Sequence, residues 1–481
     1  MRPRPLYPRR VPALELAVYA LLLAVASAAI WRQPVSVLFV FVVGLALHNA
    51  VMDALYGAGV RGSTLTAITA WKEILLVVAL VRVGLPALRA RRFPFTWHWA
   101  DSFALAFAAL CVVYALVPQS ALGGTAGHRA VALGLRHDVV PVGAYFLGRA
   151  LRLTRDDWRR LLWTLLGTAA AVAAWGLVDV YAISISWWRT NGTVDYFHKH
   201  LGYDYNGTGG LPENFIYNVG NNEPFLRRLV STFLSPLASG YLFVVALLAT
   251  TVRRRWAVGL AVLVGAGLLW TFSRSSLVAL AVGLVVLALL RRRAREAGLA
   301  VVVIAVAIGW AHLFPHFGPT GNWTQKDLRV QARLAQKGPK GPYSAVSANE
   351  PSLHEHWLAL KDGVRTVVDH PQGFGLGNVG QVASRTDTTL KAGESNYTEL
   401  GVELGLLGAL LWIAWGLAVL VGLARARAHR LAAAFAAVLA LAVQTDVIGD
   451  PWVAYCVWGL AGASLLKTCL EERLAGDPVP A

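Results

Sequence analysis

Apolar runs alternate with short basic or polar breaks along almost the whole chain. They lie at about 12 to 30, 34 to 52, 64 to 85, 101 to 117, 129 to 150, 161 to 182, 229 to 250, 256 to 272, 275 to 290, 298 to 314, 396 to 421, 431 to 447 and 452 to 469. An apolar run of about 17–25 residues can cross a bilayer as a helix, because a helix satisfies its own backbone groups where no water is present. The pattern therefore predicts an all-α polytopic membrane protein. Two polar stretches interrupt it, one near 183–228 and one at 315–395, and the second far exceeds an ordinary connector and so reads as functional. The chain divides accordingly into membrane helices with one outer loop (1–314), a loop domain (315–395) and C-terminal membrane helices (396–481).

Composition supports this division and orients it. Hydrophobic residues make up 56% and charged residues 15%, and the mean hydropathy is +0.52. The net charge of +17 does not indicate nucleic acid, because the arginines fall in short clusters between apolar runs, as cytoplasmic loops require. Arg89, Arg91 and Arg92, the stretch from Arg149 to Arg160, Arg253 to Arg255, Arg291 to Arg295, and Arg425, Arg427 and Arg430 mark one side. Thirteen full spans would then place the termini on opposite sides, while Arg2, Arg4, Arg9 and Arg10 argue that the first residues also lie inside. We expect one segment between 34 and 85 to stop short, which leaves about twelve helices. The first run has no convincing cleavage signal and reads as a retained helix. Cys111, Cys456 and Cys469 lie in or beside apolar runs and read as small core residues rather than disulfide partners or metal ligands.

Candidate chemistry concentrates at the side without arginine clusters. Arg274 in "WTFSRSSLVAL" stands at the break between two apolar runs, Arg228 in "RRLVSTFLSP" enters the next run from the same side, and Arg136 in "LGLRHDVVP" lies a turn or two inside its own. Boundary and intramembrane arginines are costly and are usually paired. These three could hold an anion such as a pyrophosphate near the membrane surface, Arg136 being neutralised by that ligand or by Asp138; headgroup snorkelling for Arg274 and a structural ion pair for Arg136 are the alternatives. Lys72 and Glu73 open an apolar run as a mutual or interhelical pair. "GFGLGNVG" has the spacing of a dinucleotide fingerprint at Gly375, Gly377 and Gly380, but in an outer loop it reads as a tight glycine turn, with backbone N–H groups available to a ligand. His354 and His356 flank Glu355, yet i and i+2 do not share a helix face and no third ligand is evident, so no metal site is expected. The Trp- and Tyr-rich outer loops suit either a sugar or an interfacial aromatic belt.

Four landmarks stand in order: "WKEILLVV", "RRLVSTFLSPLASGYL", "TFSRSSLVAL", and "HWLALKDGVRTVVDHPQGFGLGNVG" followed by "ESNYTELGVELGLLGALL". Together, from about Trp71 to Leu411, they resemble the O-antigen ligase and polymerase superfamily of bacterial membrane glycosyltransferases. The resemblance implies a metal-independent, cofactor-free enzyme of the GT-C type in the bacterial inner membrane. Such an enzyme takes a glycan from an undecaprenyl-pyrophosphate carrier on the extracytoplasmic face and passes it to an acceptor glycan or lipid. It assigns the family's two essential arginines to Arg228 and Arg274. Where the ligases carry His at the head of the H-N-x-Y-L-type motif, this chain has Glu394, followed by Ser395, Asn396 and Tyr397, which leans toward polymerisation over ligation. Glu394 is then the expected general base and Arg136 a third pyrophosphate contact. Asn378, Asn396, Tyr397, His354, His356 and Lys72 are candidate substrate contacts. A transporter or flippase for lipid-linked glycans would also need arginines near a pyrophosphate, but along a path through the membrane. Because no outer cluster of Asp, His or Cys has ligand spacing, activity should survive chelation; complete loss in chelator, restored by Mg or Mn, would contradict this.

Overall fold

The computed structural model describes residues 13–218, 224–250, 255–335 and 350–465. The N-terminal arginines, Arg253, Arg254, Cys469 and part of the 315–395 loop lie outside the described residues. Helices form in all thirteen apolar segments. The first half comprises α1 (Ala13–Arg32), α2 (Ser36–Gly57), α3 (Gly62–Thr69) continued by α4 (Trp71–Arg89), α5 (Trp99–Leu116), α6 (His128–Ala150) and α7 (Arg155–Ala182). The short α8 (Ile185–Thr190) and α9 (Thr193–Asp195) follow, with a three-stranded antiparallel sheet of β1 (Ile216–Tyr217), β2 (Phe225–Arg227) and β3 (Thr320–Gly321) in the order β1-β2-β3. The second half comprises α10 (Pro236–Ala249), α11 (Arg255–Trp270), α12 (Arg274–Arg291) and α13 (Ala294–Phe317). After these come the loop-domain helices α14 (Gln325–Ala335), α15 (Pro351–Asp369) and α16 (Gly380–Arg385), then α17 (Asn396–Arg425), α18 (His429–Leu441) and α19 (Val453–Leu465). Eight helices among the described residues are long and apolar enough to cross a membrane.

Both polar stretches gather at one end of the bundle, the cap end. Arg189 and Thr208 of the first meet Asp327 of the second, at 3.5 and 3.0 Å, and β3 extends the sheet begun by β1 and β2. The arginine clusters lie at the opposite, basic end. The conflict over topology resolves at α1. Tyr19 donates to Ala67 O at 3.1 Å, and Arg82 donates through Nε to Trp31 O at 2.7 Å, so α1 runs parallel to α3 and α4. Its described start therefore lies at the cap end, and no segment between 34 and 85 has to stop short. Cys111 and Cys456 are buried in the core, as expected.

The basic end is fastened by a buried ion pair. Arg149 Nε and one terminal nitrogen donate to the two Asp101 oxygens at 3.0 and 3.2 Å, Tyr145 donates to the same carboxylate at 2.6 Å, and the guanidinium lies over the Phe95 ring. Asp101 also accepts from His98 N at 2.7 Å, which completes the cap of α5. Removing one partner of a buried pair leaves the other charge without solvation, at a cost of about 3–5 kcal/mol. Asp101→Ala should therefore lower the melting temperature in detergent sharply; a wild-type melt would show that the pair contributes nothing.

Candidate functional site

Three helices that begin at the cap end share one sequence device. α10, α12 and α17 start at Ser235, Ser273 and Ser395, and each serine side chain accepts a backbone N–H of its own first turn. The turns before the first two carry Ser231, Leu234 and Phe272 at φ 51°, 53° and 48°. Left-handed backbone is rare for bulky residues and costs of order 1–3 kcal/mol per residue, so the surroundings must enforce it. Here the two turns are tied to each other: Leu229 N donates to Trp270 O at 2.9 Å, and Arg228 Nε donates to Thr271 O at 2.9 Å.

That tie brings Arg228 beside Arg274. Burial pushes the Arg228 guanidinium down to about 10, and the neighbouring Arg274 charge pushes in the same direction. A terminal nitrogen of Arg274 donates to Glu350 Oε2 at 3.0 Å, and the same oxygen accepts Leu353 N at 2.9 Å to cap α15. Burial raises the phenol of nearby Tyr217, as does the Glu350 charge. Two guanidiniums thus stand side by side, with Glu350 against Arg274. Arg227, one residue away, is instead a structural group: it is buried, donates to Val180 O at 3.1 Å and to Ile183 O at the end of α7, and lies 3.5 Å from Asp179.

Arg136 does not join this pair. Its expected partner Asp138 is taken by His137 at 2.8 Å, and Arg136, 47% exposed, approaches Glu73 at 3.4 Å. Asp138 is turned into the core, whereas Glu73 opens the neighbouring helix at the cap end. Lys72 pairs with Glu73 at 3.7 Å, donates to Thr69 O at 2.8 Å and approaches His48 at 3.4 Å, which matches the mutual pair expected for it.

The glycine turn has the expected shape and a different use. Gly373, Gly375, Gly377 and Gly380 have φ of 71°, 91°, 79° and 60°. The N–H groups of Gly375 and Gly377 are used within the protein, because α17 breaks at Gly405 (φ 72°) and its freed carbonyls need donors. Phe374 N donates to Val402 O at 2.7 Å, Gly375 N to Glu403 O at 2.9 Å, Gly377 N to Glu403 Oε1 at 2.8 Å, and Leu406 N to Pro371 O at 2.8 Å. Asn378 is likewise committed within the protein: its Oδ1 accepts Thr125 N and Ala126 N at 2.8 and 3.0 Å, and its amide donates to Phe374 O and Gly375 O. Asn396 donates to Asp446 Oδ1 at 2.5 Å and accepts Val447 N at 2.9 Å; Tyr397 donates to Leu439 O at 2.9 Å. These three candidate contacts fasten the walls of the site.

Sequence reasoning missed the buried centre. His137 bridges Asp138 and Asp446 at 2.8 and 2.9 Å, and Glu399 and Glu403 line the same small cavity with Asn396 and Gln381. Burial works against the charge on Asp446, but the His137 imidazole and hydrogen bonds from Gly449 N and Asn396 outweigh it and hold the carboxyl below its ordinary range. Burial pushes nearby Asp450 up to about 7, against hydrogen bonds that it accepts from Val453 N and Trp452 N. A signal was present in "TELGVELG": two glutamates four apart lie on one face of an otherwise apolar helix, where intramembrane carboxylates point to function by default.

Glu394 sits just before the Ser395 cap, 36% exposed, with its Oε1 2.6 Å from His356 Nδ1 on α15. His354 lies on the same first turns of α15, partly exposed. Among the described residues, no group of three or more His, Cys, Asp and Glu side chains forms a metal-holding arrangement. Residues 259–413, from early α11 to the middle of α17, match the O-antigen ligase family, which supports placing the chain in the O-antigen ligase and polymerase superfamily. No curated protein matches the chain.

The adjacent arginines should separate under substitution, because a lysine offers a point charge in place of the two-pronged guanidinium. Arg228→Lys should cut turnover and leave the melting temperature near that of the wild type, while Arg227→Lys should mainly lower the melting temperature. Comparing both variants in a turnover assay and a melt checks this; equal activity of Arg228→Lys and wild type would remove Arg228 from the site.

Proposed function

We propose that this membrane protein, whose 259–413 segment carries the O-antigen ligase signature, is an inverting glycosyltransferase using an undecaprenyl-pyrophosphate-linked glycan as donor. The observation that carries this reading is the Arg228–Arg274 pair, held side by side by two strained, mutually tied turns beside Glu350. A pyrophosphate accepts paired N–H donors on several oxygens, so two adjacent guanidiniums suit it. The basic clusters at the other end favour the cap end as the extracytoplasmic side, where the lipid carrier presents its glycan.

In this reading an acceptor hydroxyl oxygen attacks the anomeric carbon from the face opposite the leaving group. The bond from that carbon to the pyrophosphate oxygen breaks, and its electron pair stays on the pyrophosphate, where Arg228 and Arg274 balance the developing charge. The hydroxyl proton leaves toward Glu394, the partly open carboxylate at the start of α17. Arg136 and Lys72 are further cationic contacts for the donor headgroup or glycan, no divalent metal takes part, and His354 contacts sugar. With Glu394 and Ser395 at the head of the motif, polymerisation is favoured and the acceptor is a second lipid-linked glycan.

Purified protein incubated with lipid-linked oligosaccharide alone should build a ladder of products. Release of the carrier only after a second kind of acceptor is added would instead identify a ligase. Glu394→Gln keeps size and hydrogen bonding but removes the base, so it should reduce transfer about 100-fold to 10,000-fold while donor binding stays measurable. Wild-type turnover by this variant would leave the reaction without its proton acceptor.

A further inference from the structure

α15 crosses the first turns of α17 at close range. A Cβ added at Gly363 would come within 2.8 Å of the Thr398 side chain, and one added at Gly401 within 2.6 Å of Val367. His356, Leu360, Gly363 and Val367 follow i, i+4, i+7 and i+11, so they share one helix face. The glycine at the crossing therefore fixes where His356 arrives, and it arrives at Glu394, with Nδ1 2.6 Å from Oε1. Nδ1 is buried and, although it lies this close to the carboxylate, makes no hydrogen bond to it, so the contact is one of charge; the side chain as a whole is 32% exposed, and the open part of the ring is its far edge, which carries Nε2.

We propose that His356 is a catalytic residue: its Nε2 takes the proton of the acceptor hydroxyl, and Glu394, set against Nδ1, stabilises the imidazolium that forms. This rests on the glycosyl-transfer reading above and deepens it by replacing a lone carboxylate with an imidazole–carboxylate pair. A carboxylate beside Nδ1 favours the tautomer that carries its proton there, which leaves the Nε2 lone pair as the acceptor. The balance is closed. The acceptor O–H bond breaks, its electron pair forms the new bond to the anomeric carbon, and the proton rests on Nε2. Glu394 stabilises the resulting imidazolium, and the proton then leaves to solvent from the exposed edge of the ring.

The test compares His356→Ala and His356→Gln with the wild type, using the same lipid-linked oligosaccharide for binding and turnover. Both variants should lose about 100-fold or more in kcat with donor binding unchanged. The Gln variant tests the base itself, because its amide can still donate to Glu394 but has no basic nitrogen. Added imidazole should restore part of the turnover of His356→Ala, which a merely structural role would not allow. Wild-type turnover by either variant, loss of donor binding together with turnover, or an Ala variant that imidazole does not revive overturns the proposal. Failure of the underlying reading is distinguishable: there Glu394→Gln and Arg228→Lys would also keep full turnover, whereas failure of this inference alone leaves those two variants impaired.

Discussion

A backbone inside an apolar bundle has no water to bond to, so every carbonyl released by a helix break must find a donor within the protein. The break at Gly405 in α17 imposes this requirement, and much of the cap end follows from it. The freed carbonyls of Val402 and Glu403 draw in the turn at 373–380, and only glycines fit its left-handed positions this close to the helix. Once seated, the turn presents Asn378 to the 124–126 loop and leads through α16 to Gln381 and Arg385. Gln381 accepts Tyr203 OH at 2.8 Å, and Arg385 donates to Leu201 O at 2.9 Å. The two polar stretches are thereby joined above Glu394 and the first turns of α17, which carry Glu399 and Glu403.

The helices were legible because the hydrophobic pattern is the physical cause of their burial, and each predicted apolar segment holds one. Chain direction at the start was not legible. The arginines before α1 pointed one way, whereas its packing beside α3 and α4, visible only through pairs such as Tyr19 with Ala67, points the other. The arginine turns could be read because a charge between two apolar runs is conspicuous. What could not be read was the division of labour between Arg227 and Arg228, since adjacent residues of a strand face opposite sides and the sequence does not say which side is the core.

The polar centre shows a second limit. His137 and Asp446 are 309 positions apart, and nothing local announces that they meet. Asn396 and Tyr397 stand in a motif that suggests substrate contact, yet their hydrogen bonds run to Asp446, Val447 and Leu439. A motif of this kind records residues needed to assemble a site together with those that act in it. The contact between His356 and Glu394 belongs to the same class, since it depends on a helix crossing set by Gly363.

The carboxylate of Glu350 bears on how a cycle ends. Because it is part of the chain and caps α15 with the same oxygen that meets Arg274, it stays beside the arginines at a high effective concentration whenever they are vacated. In the proposed reaction a tightly held pyrophosphate would leave slowly from an unassisted cationic site, and an internal competitor would shorten its residence by occupying Arg274 as it is given up. On that reading the arginines could hold strongly during bond cleavage without making departure of the spent carrier the slow step.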